Sequence, residues 1–435
     1  MLPSPHTLSM ERLMQYLWQH RLWPQQLLHT TDGQPVRIID PGRLNTDAGP
    51  DFFNAKISIG GHIWAGDVEI HVKASDWHRH NHDGDPAYDS VILHVVDRDD
   101  ASISRSNGET IPQLCMQCTP EFSRRYDELV CRADSSLPCA AEIAALPPLH
   151  VTSWLSSLAF ERLYDKVDRI TSLLDRLHGD WESTCYVTLA RNLGFSVNSD
   201  PFERLALSLP LIFIGKHSDS LTSVEALLFG QSGLLPPDAP QDPYVQLLQR
   251  EYTFLAHKFG LHAPDNLGWK MSRMRPPMFP QRRIALLASI LHGGFRMMSR
   301  LLDIKSVEDT RSLFSVELPE YWRSHYTFGP PSPRPTAPLS TSSIHLLAIN
   351  TVVPLLYAYG LTHDDTALMD RAVNMLQQLP AEKNSVVELF TRAGIPARDA
   401  FASQALIQLR RCYCERRKCL YCRIGHRMLA SKAPR

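Results

Sequence analysis

The apolar residues of this chain change their period near residue 145, and that change decides which folds are open to it. Before it, Val36–Ile39, Phe52–Ile59, Ile63–Lys73 and Val91–Val96 are short runs rich in β-branched and aromatic residues, separated by glycine and proline. Gly60-Gly61 predicts a tight hairpin between two of them. Ahead of them, Leu13, Met14 and Leu17 recur at helical spacing within Met10–Trp18. After residue 145, Trp154, Leu155, Leu158, Leu163, Val167, Ile170 and Leu174 form one helical stripe, and further helical segments follow as far as Arg411. The expectation is an α+β protein in three parts. A mixed α/β domain over 1–125 reads as helix, three strands, a connection and further strands. A mostly α-helical region covers 145–411, with a linker candidate at Pro330–Pro338, and a basic cysteine-cluster tail covers 412–435.

The strand Asp67–Lys73 carries the most chemistry. Side chains alternate faces along a strand, so Asp67, Glu69, His71 and Lys73 share one face and Val68, Ile70 and Val72 the other. Its hairpin partner opens on Pro50-Asp51. The helix–strand–strand–strand order, with an acid opening the second strand and an acid-x-basic run on the third, resembles the PD-(D/E)xK nuclease core. That resemblance implies a nuclease-like domain in which Asp51 and Glu69 hold a divalent cation, Mg²⁺ or Mn²⁺, through hard oxygen ligands. It also implies a basic residue that positions the nucleophile. His71 stands where that family has lysine, and Lys73 lies two residues further on, so both are candidates for the catalytic role. Between Ser75 and Asp89 the chain is polar and reads as a short helix or an ordered loop. Its histidines, His78, His80 and His82, read as part of a surface loop, and His94 reads as a hydrogen-bonded core histidine.

Near the end stand Cys412, Cys414, Cys419 and Cys422, followed by His426. Thiolates at this spacing can close around a zinc ion or an iron–sulfur cluster. Cys414, Cys419 and Cys422 form the core of the set, with Cys412 or His426 as fourth ligand. Cys115 and Cys118 have no partner pair and read as incidental. Arg410, Arg411, Arg416, Arg417, Lys418, Arg423, Arg427, Lys432 and Arg435 face a single acid, Glu415, over the same stretch. In a chain of formal net charge −1 this is a local basic patch, and Arg416, Arg417, Lys418 and Arg423 are its candidate nucleic-acid contacts. The near-neutral total excludes a globally basic coat, so DNA or RNA would be met through such patches. No basic start with an apolar core marks a secretion signal. Apolar runs such as Leu207–Gly215 fall short of the roughly 20 residues of a membrane span. A cytoplasmic protein with no membrane partner is expected, its nine cysteines serving as thiols or metal ligands; the oligomeric state is not legible.

Across nearly its whole length the chain resembles a bacterial family known as domain of unknown function 2851. The resemblance rests on Met10–Trp18, Asn45–Ala55, Val68–Lys73, Ser75–Trp77, Glu225–Gln231, Asn350–Pro354 and the terminal cysteines. That family supplies no activity. The function read from the residues is a metal-dependent phosphodiesterase acting on DNA or RNA. The alternative is a non-catalytic nucleic-acid-binding or assembly protein with a structural zinc or iron–sulfur site.

Overall fold

The computed structural model describes residues 5–22, 28–45, 48–117, 120–131, 137–237, 242–272, 279–333, 335 and 339–430. Cys118, Lys432, Arg435 and part of the Pro330–Pro338 stretch lie outside them. The protein is α+β, with a mixed sheet in the N-terminal part and helices after it. It divides into two compact units. One comprises 1–154, 392–395 and 409–435; the other comprises 155–391 and 396–408. The cysteine tail therefore belongs to the same unit as the sheet.

In the first unit, helix α1 (Pro5–His20) precedes strands β1 (Leu28–His29), β2 (Pro35–Asp40), β3 (Arg43–Leu44), β4 (Phe52–Ile59) and β5 (His62–Lys73). A one-turn helix α2 (Asp76–Arg79) then leads to β6 (Val91–Arg98) and β7 (Gln113–Cys115). The sheet order is β1-β2-β4-β5-β6-β7, with β3 paired to β4. β2, β4 and β5 are antiparallel neighbours, whereas β6 joins β5 in parallel and β7 joins β6 in parallel. Ile59 pairs with His62 across the turn, and Gly60 and Gly61 take φ of 58° and 89°. Only a primed turn with both central residues at positive φ matches the twist of its strands, and glycine reaches that conformation without strain.

α1 packs on β5, burying Leu13, Met14, Leu17 and Trp18, while Phe52, Ile57, Val68 and Ile70 are buried in the sheet. The polar face of β5 differs from a half-exposed strand. Glu69 and His71 are 5% and 1% exposed, so at mid-strand both faces are covered. A second small core of Trp77, Val91, Ile103 and Ile111 forms beside the connection from β5 to β6. Helices α3 (Pro120–Cys131) and α4 (Ala140–Ile143) follow, and α5 (Pro148–Arg176) crosses the boundary between the units.

The second unit is a helical array around one continuous core. The buried helix Leu221–Ser232 shows how the Glu225–Gln231 motif is used. Glu225 accepts a 2.7 Å hydrogen bond from Tyr244, whose hydroxyl accepts from Trp322 Nε1 at 2.9 Å. Gln231 donates to the carbonyls of Ser208 and His262. Gly230 lies face-on to Tyr252: a Cβ there would fall 2.1–2.4 Å from the ring. Gly230→Ala is therefore expected to destabilise the helical unit by roughly 1–3 kcal/mol despite alanine's better helix propensity. Chemical denaturation checks this, and Tyr252→Ala in the same chain should recover part of the loss. Thr341–Thr362, close to the helical segment Ser343–Gly360 expected from the sequence, is long and apolar enough to cross a membrane, but most of it is buried inside this unit as a core helix.

Candidate metal centre

Asp51 stands just before β4 and Glu69 in β5, and the register of the hairpin brings them together. Glu69 Oε2 accepts the backbone N–H of Asp51 at 2.9 Å, and Asp51 Oδ2 accepts the N–H of Ile70 at 3.1 Å. Each carboxylate is thus fixed by the other's strand. From α1, Gln15 donates to Asp51 Oδ1 at 2.8 Å, and Glu11 lies within the field of Asp51 and Glu69.

Three histidines complete the site. His71 shares the Glu69 face, with Nε2 3.4 Å from Glu69 Oε1. His82 Nε2 lies 3.5 Å from the same oxygen, and His80 Nδ1 lies 3.1 Å from His71 Nε2. Ligand atoms of His71, His80 and His82 all fall within 4.8 Å of one another. His80 and His82 converge because Asn81 between them takes a left-handed conformation, φ 60°, which ends the α2 turn and reverses the chain. Asparagine tolerates that region better than most residues. The two histidines are therefore part of the site and not of a surface loop. His78 points elsewhere, to the Ser102 carbonyl and Asp83. Behind the site, fully buried His94 bridges His71, at 2.9 Å, and Gln113, at 3.2 Å. Trp77 packs edge-on against both His82 and His94, and Tyr88 stacks on His82 at 3.7 Å. Lys73 is exposed at the end of β5, where its charge acts on Asp100.

The electrostatics follow from burial and crowding. Desolvation, then the charge of Glu69, pushes Asp51 up to about 7. Desolvation raises Glu69 to about 8 and Glu11 to about 7, the latter with help from Asp51. Desolvation and neighbouring histidines hold His71 well below its ordinary value, and burial lowers His94 to about 4. Raised carboxylates favour the fold when protonated, so their contribution is full below the ordinary carboxylate pKa and is lost as pH rises through 7 to 8. The depressed histidines favour the fold when neutral. Their contribution is full above about pH 6.5 and is lost as pH falls towards their lowered values. Metal-free protein should therefore lose thermal stability between about pH 6.5 and pH 8. Mn²⁺ should raise Tm more at the alkaline end, because a cation competes with the protons. Differential scanning fluorimetry in EDTA and in Mn²⁺ checks both slopes, and Glu69→Gln should flatten the first.

The other predicted residues fall as follows. Arg416, Lys418 and Arg423 are exposed and Arg417 half-buried, with Arg423 over the Trp154 ring at 5.0 Å. Cys414, Cys419 and Cys422 line one cavity, but its fourth cysteine is Cys139; neither Cys412 nor His426 lines it. His426 instead meets the Tyr16 hydroxyl at 2.6 Å and packs against His20. The helical unit also holds a polar cavity, lined by Arg162, Lys166, Arg169, Arg191 and Glu203 together with Asn350, the first residue of the Asn350–Pro354 motif. There Lys166 Nζ donates at 2.9 Å to Asn350 Oδ1, within the π-helical segment Ala348–Val352.

No curated protein and no solved structure matches the chain. One family model does, over residues 11–385, and on that match the chain belongs to the family described as "Protein of unknown function (DUF2851)".

Proposed function

We propose that the first unit is a metal-dependent phosphodiesterase acting on DNA or RNA. One observation carries this reading: Asp51 and Glu69 are locked together by each other's backbone, with Glu11 and His71 beside them. The frame around them supports it, since helix α1, the β4–β5 hairpin and parallel β6 follow the order expected of a PD-(D/E)xK-like core.

The donor set fits a divalent cation. Carboxylates crowded until burial and mutual repulsion raise them towards neutrality are relieved by a positive ion. Asp51 and Glu69 would hold it, with His80 and His82 adding nitrogen donors. That mixture suits Mn²⁺ or Zn²⁺ better than Mg²⁺. A bound ion polarises a phosphoryl oxygen and makes a water more acidic. His71, 3.4 Å from Glu69, would orient the attacking water or take its proton. Lys73 at the strand end and the basic residues Arg416, Arg417, Lys418 and Arg423 of the same unit offer contacts to the sugar-phosphate backbone.

The test is hydrolysis of single- and double-stranded DNA and RNA by the full chain in Mn²⁺, Mg²⁺ and EDTA, beside Glu69→Ala. Activity that needs the cation and disappears in the variant supports the reading. Activity that survives Glu69→Ala refutes the assigned site. Cation-independent binding without cleavage favours a non-catalytic nucleic-acid-binding role.

A further inference from the structure

The tail cysteines do not complete their own site. Cys414, Cys419 and Cys422 line a cavity whose remaining cysteine, Cys139, comes from the segment just before α4, far away in sequence. Leu129 and Leu409 supply apolar wall. None of the four is in a disulfide. The four lie within one another's electrostatic reach, in a looser grouping than the ligand atoms of His71, His80 and His82.

The backbone around them is shaped for close approach. Arg417, at φ 53°, turns the chain back between Cys414 and Cys419, and its N–H bonds the Cys414 carbonyl at 3.2 Å. Gly425 lets the terminal helix Arg423–Ala430 pass against Cys419, where a Cβ would fall 2.2 Å from the Cys419 carbonyl oxygen. Arg410 and Arg417 place positive charge beside Cys414 and Cys419. Nearby cations favour thiolates, the form in which cysteine binds metal, but burial outweighs them in the metal-free chain, pushing Cys139 up to about 12 and Cys419 up to about 11, so a metal must displace the thiol protons.

We propose that Cys139, Cys414, Cys419 and Cys422 form a four-thiolate site for one thiophilic metal centre, a zinc ion or an iron–sulfur cluster. Binding displaces the thiol protons into solvent and ties the Cys139 segment to the C-terminal segment within the first unit. The proposal stands apart from the phosphodiesterase reading, because its four ligands are none of the residues assigned to the carboxylate centre.

The experiment is metal and acid-labile sulfide analysis of full-length protein purified with and without oxygen, with an absorption spectrum. Wild type and Cys412→Ser should carry the same metal content, and Cys139→Ser should lose from it one zinc equivalent, or all of the acid-labile sulfide with its iron. A colourless zinc protein and a brown protein with sulfide both fit the site and identify its occupant. Loss of metal in Cys412→Ser with retention in Cys139→Ser overturns the assignment. Because Cys139→Ser could misfold, wild-type protein is also alkylated before and after chelation. Cys139, Cys414, Cys419 and Cys422 should become reactive together only after metal removal, while Cys412 reacts throughout. Equal reactivity of the four in untreated and chelated protein overturns the proposal.

Discussion

Glu69→Gln is expected to reduce phosphodiester cleavage at least about a thousandfold while leaving the fold intact, the scale on which loss of an essential transition-state group is felt. Glutamine keeps the shape of the side chain and an oxygen that can still accept the Asp51 N–H. It removes the negative charge that would hold a cation, and it removes a buried, crowded carboxylate. Catalysis and stability should consequently move in opposite directions. Activity disappears, whereas the Tm of metal-free protein at pH 8 is unchanged or higher. A variant that merely disrupted the sheet would lower both.

Trp77→Ala is expected to cost roughly 3–5 kcal/mol, the range for deleting a fully buried aromatic side chain. Trp77 is 0% exposed, forms the small core with Val91, Ile103 and Ile111, and braces His82 and His94 edge-on. Its loss removes the wall that holds the histidines in register, so Mn²⁺ affinity should fall with stability, although Trp77 offers no ligand atom. Trp77→Phe should recover part of both. Circular dichroism melts of the three proteins, with and without Mn²⁺, check the pattern. If Trp77→Ala binds Mn²⁺ as wild type does, the wall does not position the histidines.

The parts of the fold legible in the sequence are those set by local rules. Gly60-Gly61 marked the hairpin because few residues other than glycine reach such φ values cheaply. The stripe from Trp154 to Leu174 marked α5 because an amphipathic helix repeats every 3.6 residues. Alternation along β5 placed Glu69 and His71 on one face. Their burial was not legible, because α1 and the β5–β6 connection that cover the strand are tertiary neighbours. The convergence of His80 and His82 on His71 hangs on one backbone conformation, at Asn81; an Asn between two histidines was the signal available for it. Cys139 stands alone in sequence with no spacing partner, so only the folded chain brings it to Cys414, Cys419 and Cys422. The polar cavity at Lys166 draws its residues from separate helices, and only Asn350, in the Asn350–Pro354 motif, marked it in the sequence.

The central claim is that Asp51 and Glu69 hold a divalent cation, and the most direct measurement is titration of metal-free full-length protein with Mn²⁺, with free ion followed by electron paramagnetic resonance. Wild type should bind saturably, Lys73→Ala should retain that binding, and Glu69→Gln should lose the site. Indistinguishable titrations of wild type and Glu69→Gln would contradict it.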